Sequence, residues 1–313
     1  MDMPKRLMRL AVAARRCLAG CLALLALAAP ATFAADISPA TVYAEALRIG
    51  QEVDLIKRHF KITGHATAAP VTADLQPRHV WQKTYLILIK LNLFRRKHGL
   101  TGFAPLIHEP DLKSDPRTAW GQTQRILTEI RIIKAYLDIP GAVGPIATVA
   151  GKRPIDVFNK LDEISHDLDL LVGEQVNPSV VYAEALRVDQ DVDLLLRHVG
   201  TADIAFPPAR NPAAKPKDSL RAAFAVMDQI QRLQRKLGLP GTDFTAFRDR
   251  DDAVSADVLN MVGMCVAEIQ LVKAQLGLLH SLTPPAEYQA GKTPTEVAQL
   301  LSYMAAKLRL VEL

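Results

Sequence analysis

Cysteine, aromatic rings and long apolar runs are all scarce in this chain, and each shortage removes a class of protein. Of the three cysteines in 313 residues, only Cys265 lies beyond residue 34. A chain trimmed there forms no intrachain disulfide and must hold its fold by core burial. No Cys-x-x-Cys-His occurs, which excludes covalent c-type haem attachment. Aromatics make up 5% of the residues, too few for a stacking surface that follows single-stranded nucleic acid. Hydrolase and phosphate-loop signatures are missing as well: there is no Gly-x-Ser-x-Gly, no glycine-rich phosphate cradle and no zinc-protease helix.

The formal net charge of +5 is concentrated at the start. Lys5, Arg6, Arg9, Arg15 and Arg16 against Asp2 contribute +4, leaving about +1 for everything after residue 34. A near-neutral body argues against nucleic acid, whose phosphates select basic surfaces. The basic stretch is followed by an apolar run from Leu22 to Pro30 and then Thr32-Phe33-Ala34, a small-x-small site. Residues 1–34 therefore read as a Sec-type signal peptide, placing the mature chain in the periplasm or outside the cell. Leu18-Ala19-Gly20-Cys21 resembles a lipid-attachment box, but the apolar run follows the cysteine instead of ending at it, so anchoring at Cys21 is not expected. That run is too short for a span of about 20 residues, and the mature chain is expected to carry no transmembrane segment.

What the chain has in abundance is itself. Val42-Tyr43-Ala44-Glu45-Ala46-Leu47-Arg48 returns 139 residues later as Val181-Tyr182-Ala183-Glu184-Ala185-Leu186-Arg187. The register persists through Arg96-Lys97 and Arg235-Lys236, then Glu129-Ile130 and Glu268-Ile269. A tandem duplication is expected, with copy 1 over 35–174 and copy 2 over 175–313.

Each copy reads as four helices. The first opens on a capping side chain and a proline, Ser38-Pro39 and Asn177-Pro178. Val42, Ala46, Ile49, Val53 and Ile56 make an alternating three- and four-residue stripe, repeated by Val181, Ala185, Val188, Val192 and Leu195. Further helices are expected over 77–98 and 219–237, over 116–137 and 256–276, and from Pro154 and Pro294. No alternating segment suggests a sheet. The expected fold is all-α, two up-and-down four-helix bundles in tandem. Within each copy the connections exceed the usual 2–8 residues, and they are expected to be packing over helix ends or recognition loops.

Six polar residues of the first helix, Glu45, Arg48, Gln51, Asp54, Arg58 and His59, recur as Glu184, Arg187, Gln190, Asp193, Arg197 and His198. Spacings of three and four place opposite charges on one face, which accounts for intrahelical pairing. They also fit a packed seam, or, with Tyr43 and Tyr182, a polar binding groove. Candidate binding residues are therefore Tyr43, Arg48, Gln51 and Asp54 with Tyr182, Arg187, Gln190 and Asp193. No catalytic residue and no metal site is assigned. Glu163-x-x-His166 has di-iron spacing, but the second copy offers Tyr303 and Ala306 there. Cys265 in its apolar stretch reads as a buried thiol. No cofactor is expected. The sequence points to a non-enzymatic exported helical protein that binds or scaffolds a protein partner, with a small-molecule-binding or sensory bundle as the alternative; it assigns no oligomeric state.

Overall fold

In the computed structural model, residues 37–64, 73–102, 106, 115–173, 176–248, 251–281, 283 and 285–313 are described. The expected signal peptide, the junction at 174–175 and parts of four long connections lie outside them. The described residues are helical without a strand. The helices are α1 (Pro39–His59), α2 (Pro77–Lys97), α3 (Pro116–Tyr136), α4 (Pro154–Val172), α5 (Pro178–Val199), α6 (Pro216–Lys236), α7 (Ser255–Gln275) and α8 (Pro294–Leu310). A short 3₁₀ turn, Thr245–Phe247, precedes α7.

Seven of these helices carry proline at their first position, where the missing N–H removes only a donor that has no helical partner. The donors left over are capped. Asn177 accepts from the N–H of Ser179, and Asp115 from that of Arg117. At α4, α6, α7 and α8 an acid three residues into the helix, Asp156, Asp218, Asp257 or Glu296, accepts the N-cap N–H at 2.8–2.9 Å. That is half of a capping box, and it works whether the N-cap is Thr293, Arg153, Lys215 or Val254. It also explains why α6 begins at Pro216 and not at Ser219.

α1 packs on α3 and α4, and α2 packs on the same two; α5 and α6 are placed likewise against α7 and α8. Sequence neighbours α1 and α2 are therefore diagonal. The direction of the helices departs from the expected up-and-down arrangement. Pro39, Pro77, Pro116 and Pro154 surround one small hollow with Val42, Val80, Ala119 and Val157. Pro178, Pro216, Ser255 and Pro294 do the same in the second set. All four helices of each set start at one end and run parallel.

The long connections follow from this geometry. A 21-residue helix rises about 31 Å, and a parallel successor requires the chain to travel that distance back. The connections of 16–18 residues within each set can do so, since extended chain covers about 3.3 Å per residue. They are return straps, not end covers. The one short connection, 173–177, joins the two sets.

With parallel helices, equal counts from the N-terminus mean equal depth. Positions 4, 8, 11, 15 and 18 counted from each helix start fill the core, the last of them in α8 being its C-cap Val311. At depth 11, for example, stand Ile49, Ile87, Ile126 and Ile164, and in the second set Val188, Val226, Cys265 and Met304, all at most 1% exposed. Cys265 is thus one of four core side chains at that depth, and burial pushes its thiol pKa upward. α7 is long and apolar enough to cross a membrane by length and composition, yet 83% of its apolar window is buried among the other helices.

A polar girdle crosses the far end of each set. Lys134 at depth 19 of α3 reaches Glu52 at depth 14 of α1 (2.5 Å), and Lys57 of α1 reaches Asp167 of α4 (2.6 Å). Arg95 of α2 pairs with Glu129 of α3 at the same depths. Lys273 to Asp191 (2.5 Å) and Gln234 to Glu268 repeat two of these links in the second set. Helical side chains lean toward the N-terminus, so a long residue at depth 19 meets depth 14 only on a parallel neighbour.

The two sets meet through α2 and α7, which run antiparallel. His79 contacts Glu268, while Lys83, one turn further along α2, donates to Asn260, two turns earlier on α7 (2.8 Å). Gly263 permits the approach: a Cβ there would lie 3.0 Å from a Leu86 methyl and 3.4 Å from Cγ of Gln82.

Candidate functional site

The recurring polar face of α1 and α5 holds the straps. Lys152 sits 4.3 Å above the Tyr43 ring, and Lys292 sits 4.4 Å above that of Tyr182. Both lysines follow a left-handed glycine, Gly151 or Gly291, that turns the strap into the next helix. Further along α1, Arg48 Nε donates to the Val143 carbonyl (3.1 Å), and the Val143 N–H donates to Glu52 (2.9 Å). Lys134 closes this group by donating to Glu52 and to the Gly141 carbonyl (2.7 Å). On α5, Asp191 takes Lys273, Gln270 (2.9 Å) and the Thr283 hydroxyl, while Lys273 also reaches the Ser281 carbonyl (2.9 Å).

The eight candidate residues therefore do different things. Tyr43, Arg48 and Tyr182 fasten straps. Asp54 lies 3.9 Å from Lys57, and Asp193 pairs with Lys307. Gln51 and Gln190 are exposed. Arg187 is buried, stacked 4.6 Å over the Tyr85 ring of the other set and donating to Glu184 (2.8 Å), with Nε and Nη2 lacking a partner among the described residues. Glu52 and Asp191, the acids at the centre of each fastening, differ in identity, so matching of identical residues does not mark them.

The seam between α2, α4 and α7 is rich in buried polar groups. The N–H of Gln76 donates to His79 Nδ1 (2.8 Å), so Nε2 carries the proton and donates to Glu268, which also receives Arg78 (2.9 Å) and Gln234. Burial holds His79 below its ordinary pKa. The His79, Arg78 and Gln234 donors hold Glu268 at about 2, overcoming burial that acts the other way. This histidine–carboxylate pair has the orientation of an acid–base dyad. With both side chains fully buried it has no access to a substrate, and it fastens one set to the other.

Beside it, Lys83 pairs with Asp162, and Lys90 with Asp169 (2.7 Å) and Ser165 (2.7 Å). His166 lies 3.6 and 3.5 Å from the two aspartates, whose hydrogen bonds raise its pKa to about 9. Asp162, His166 and Asp169 share one face of α4, but Lys83 and Lys90 occupy the position a cation would take. Among the described residues no group of three or more His, Cys, Asp or Glu side chains is arranged to hold a metal. Glu163 of the Glu-x-x-His spacing turns outward to Lys160 (2.7 Å).

A cleft of about 540 Å³ runs along the outer face of α6. Leu220, Phe224 and Ala225 form its floor. Its rim carries Lys217 paired with Asp251 (3.2 Å) and Arg248 paired with Asp228, the Arg248 guanidinium lying 4.6 Å from the Phe224 ring. None of the eight candidate residues lines it. By contrast, the hollow enclosed at the helix starts of each set measures about 10 Å³, too small for more than a single water. Compared with protein-family models, curated proteins and solved structures, the chain matches none of them.

Proposed function

We propose that this chain is an exported, non-enzymatic helical protein that binds or scaffolds a protein partner outside the cytoplasm. It is read as a doubled four-helix unit behind a signal peptide at residues 1–34, acting in the periplasm or beyond. One observation supports the binding reading most. Core positions are filled at every depth, while open space on the scale of a ligand lies on the outer face of α6. Proteins that recognise surfaces present rigid clefts and straps of this kind. The buried polar groups support the same reading, since Glu52, Asp191, Glu268 and their donors serve to fasten helices and straps.

A photo-crosslinking residue at Ala225, on the cleft floor, tests this in cells. It is expected to give one discrete protein adduct that the same residue at exposed Gln51 does not. The cleft also has the volume of a small-molecule site, which keeps the sensory reading as the second one. A metabolite panel separates the two. A ligand at about a hundred times its Kd adds about 2.7 kcal/mol, a melting shift of several degrees. Such a shift without a protein adduct would replace the scaffold reading by the sensory one.

A further inference from the structure

Among the described residues, Phe206 and Ile204 are the most exposed large apolar side chains, at 85% and 69%. Both lie on the strap from α5 to α6. This exposure does not come from slack chain. Tyr303 donates to Asp203 (2.7 Å), Gln299 to the Pro208 carbonyl (2.8 Å), Arg210 to Gln299 (3.2 Å) and Thr295 to the Asn211 carbonyl (2.8 Å). The strap is pinned to α8 on both sides of Phe206, and the ring is held in water by the bonds around it. Keeping a phenylalanine and an isoleucine exposed forgoes the gain from burying their apolar surface.

The charges beside the ring identify an occupant. Asp203 is fixed at Tyr303 and Arg210 at Glu296 (3.5 Å) and Gln299, so an exposed acid and an exposed base stand on opposite sides of Phe206. A step of seven positions along α8 from Glu296 to Tyr303 separates these anchors by about 10 Å. A two-fold axis through Phe206 reverses the strap. It lays Asp203 against Arg210 of a second copy and Arg210 against its Asp203, with the two rings and Ile204 side chains between them. The patch is therefore complementary to itself, the requirement for a closed two-fold contact.

We infer that the strap at 203–210 is a self-association surface and that its occupant is the same strap of a second copy. The surface is small, so the dimer is weak, with a dissociation constant in the micromolar range.

Sedimentation equilibrium of the purified protein from about 1 to 300 µM is expected to show a reversible monomer–dimer equilibrium. Phe206→Asp raises the dissociation constant at least about tenfold while the melting temperature stays unchanged. Asp203→Lys and Arg210→Glu each weaken the dimer, since each sets like charges against each other at both contacts. An equimolar mixture of these two variants associates again, because the mixed pair joins opposite charges at both contacts. Each variant carries the same altered strap alone and in the mixture, so loss of anchoring does not reproduce that recovery. Three results overturn the inference: a monomer across the whole range, a dimer indifferent to Phe206→Asp, or a mixture no tighter than its components. If the strap binds a different protein instead, the purified chain remains monomeric, which is the first of these.

Discussion

Replacing Lys273 by methionine removes the ammonium that joins α7, α5 and the strap between α7 and α8. Lys273 and Asp191 are 1% and 2% exposed and 2.5 Å apart. Truncating one partner of a buried pair costs about 3–5 kcal/mol, because the remaining charge is left without compensation. Here the cost falls near 3 kcal/mol, since Gln270 and Thr283 still donate to Asp191. In urea titrations followed by circular dichroism this appears as a midpoint lowered by about 1 M. Lys273→Met with Asp191→Leu removes both charges and is expected to return to within about 1 kcal/mol of the parent, as buried pairs replaced by apolar side chains often do. Lys160→Met, breaking a 2.7 Å pair whose members are 27% and 49% exposed, serves as control and costs less than about 0.5 kcal/mol. The reasoning fails if Lys273→Met costs no more than the control, or if the double variant is as damaged as the single one.

Three further expectations follow from the geometry. Gly263→Leu sets a branched side chain against Leu86 and Gln82, destabilising the chain by about 1–3 kcal/mol and raising hydrogen exchange along the α2–α7 seam first; unchanged protection there contradicts the close approach. Spin labels at Asp115 and Arg153, the N-caps of α3 and α4, should report a separation well under the roughly 31 Å length of a helix, whereas an up-and-down set would place them a full helix apart. His166 has its pKa raised from 6.5 to about 9 by Asp162 and Asp169, with burial and Lys83 opposing, so its stabilisation is complete below pH 6.5 and lost as pH rises through about 9. His166→Gln should flatten that alkaline decline, about 2 kcal/mol in the parent by urea melts at pH 6 and 9.5.

The helices were legible because their signals are local. Proline at the first position, a capping acid three residues on and a three–four apolar stripe each act within a turn or two, and Val42 to Ile56 is buried as the stripe requires. Helix direction was not legible from the stripe, since an apolar face looks the same whichever way its neighbour runs. The signal lay in the connections instead. Sixteen to eighteen residues is the length needed to retrace a 21-residue helix, and helix starts at 39, 77, 116 and 154 recur every 38 or 39 residues. The polar matches were legible as residues and not as roles. Glu52 and Lys134 stand 82 positions apart, and nothing near either one names the other. Arg48 and Arg187 stand equally far along α1 and α5, yet one holds a strap carbonyl and the other stacks on Tyr85, because only α5 brings that position against the neighbouring set.

Parallel packing accounts for most of what remains unusual in the sequence. Four helices running together align their dipoles, leaving partial positive charge at one end of the set and partial negative charge at the other. First-turn acids Asp156, Asp218, Asp257 and Glu296 answer the positive end. Last-turn cations such as Lys57-Arg58-His59, Arg95-Arg96-Lys97 and Arg235-Lys236 answer the negative one. The basic clusters that superficially suggest a polyanion surface are thus electrostatic consequences of helix direction. Setting α2 against α7 in antiparallel fashion opposes the dipoles of the two sets, which favours their side-by-side association even with a polar seam. Parallel packing also bears on where the proposed partner would dock. The return straps must cross the outside of the bundle, so they present side chains at a distance from the core that helix faces cannot reach. Phe206 and Ile204 lie on such a strap, and Arg248 and Asp251 of the α6 cleft lie on another. The described return connections carry these exposed groups, and Arg48, Glu52 and Asp191 on the first helices hold described straps in place.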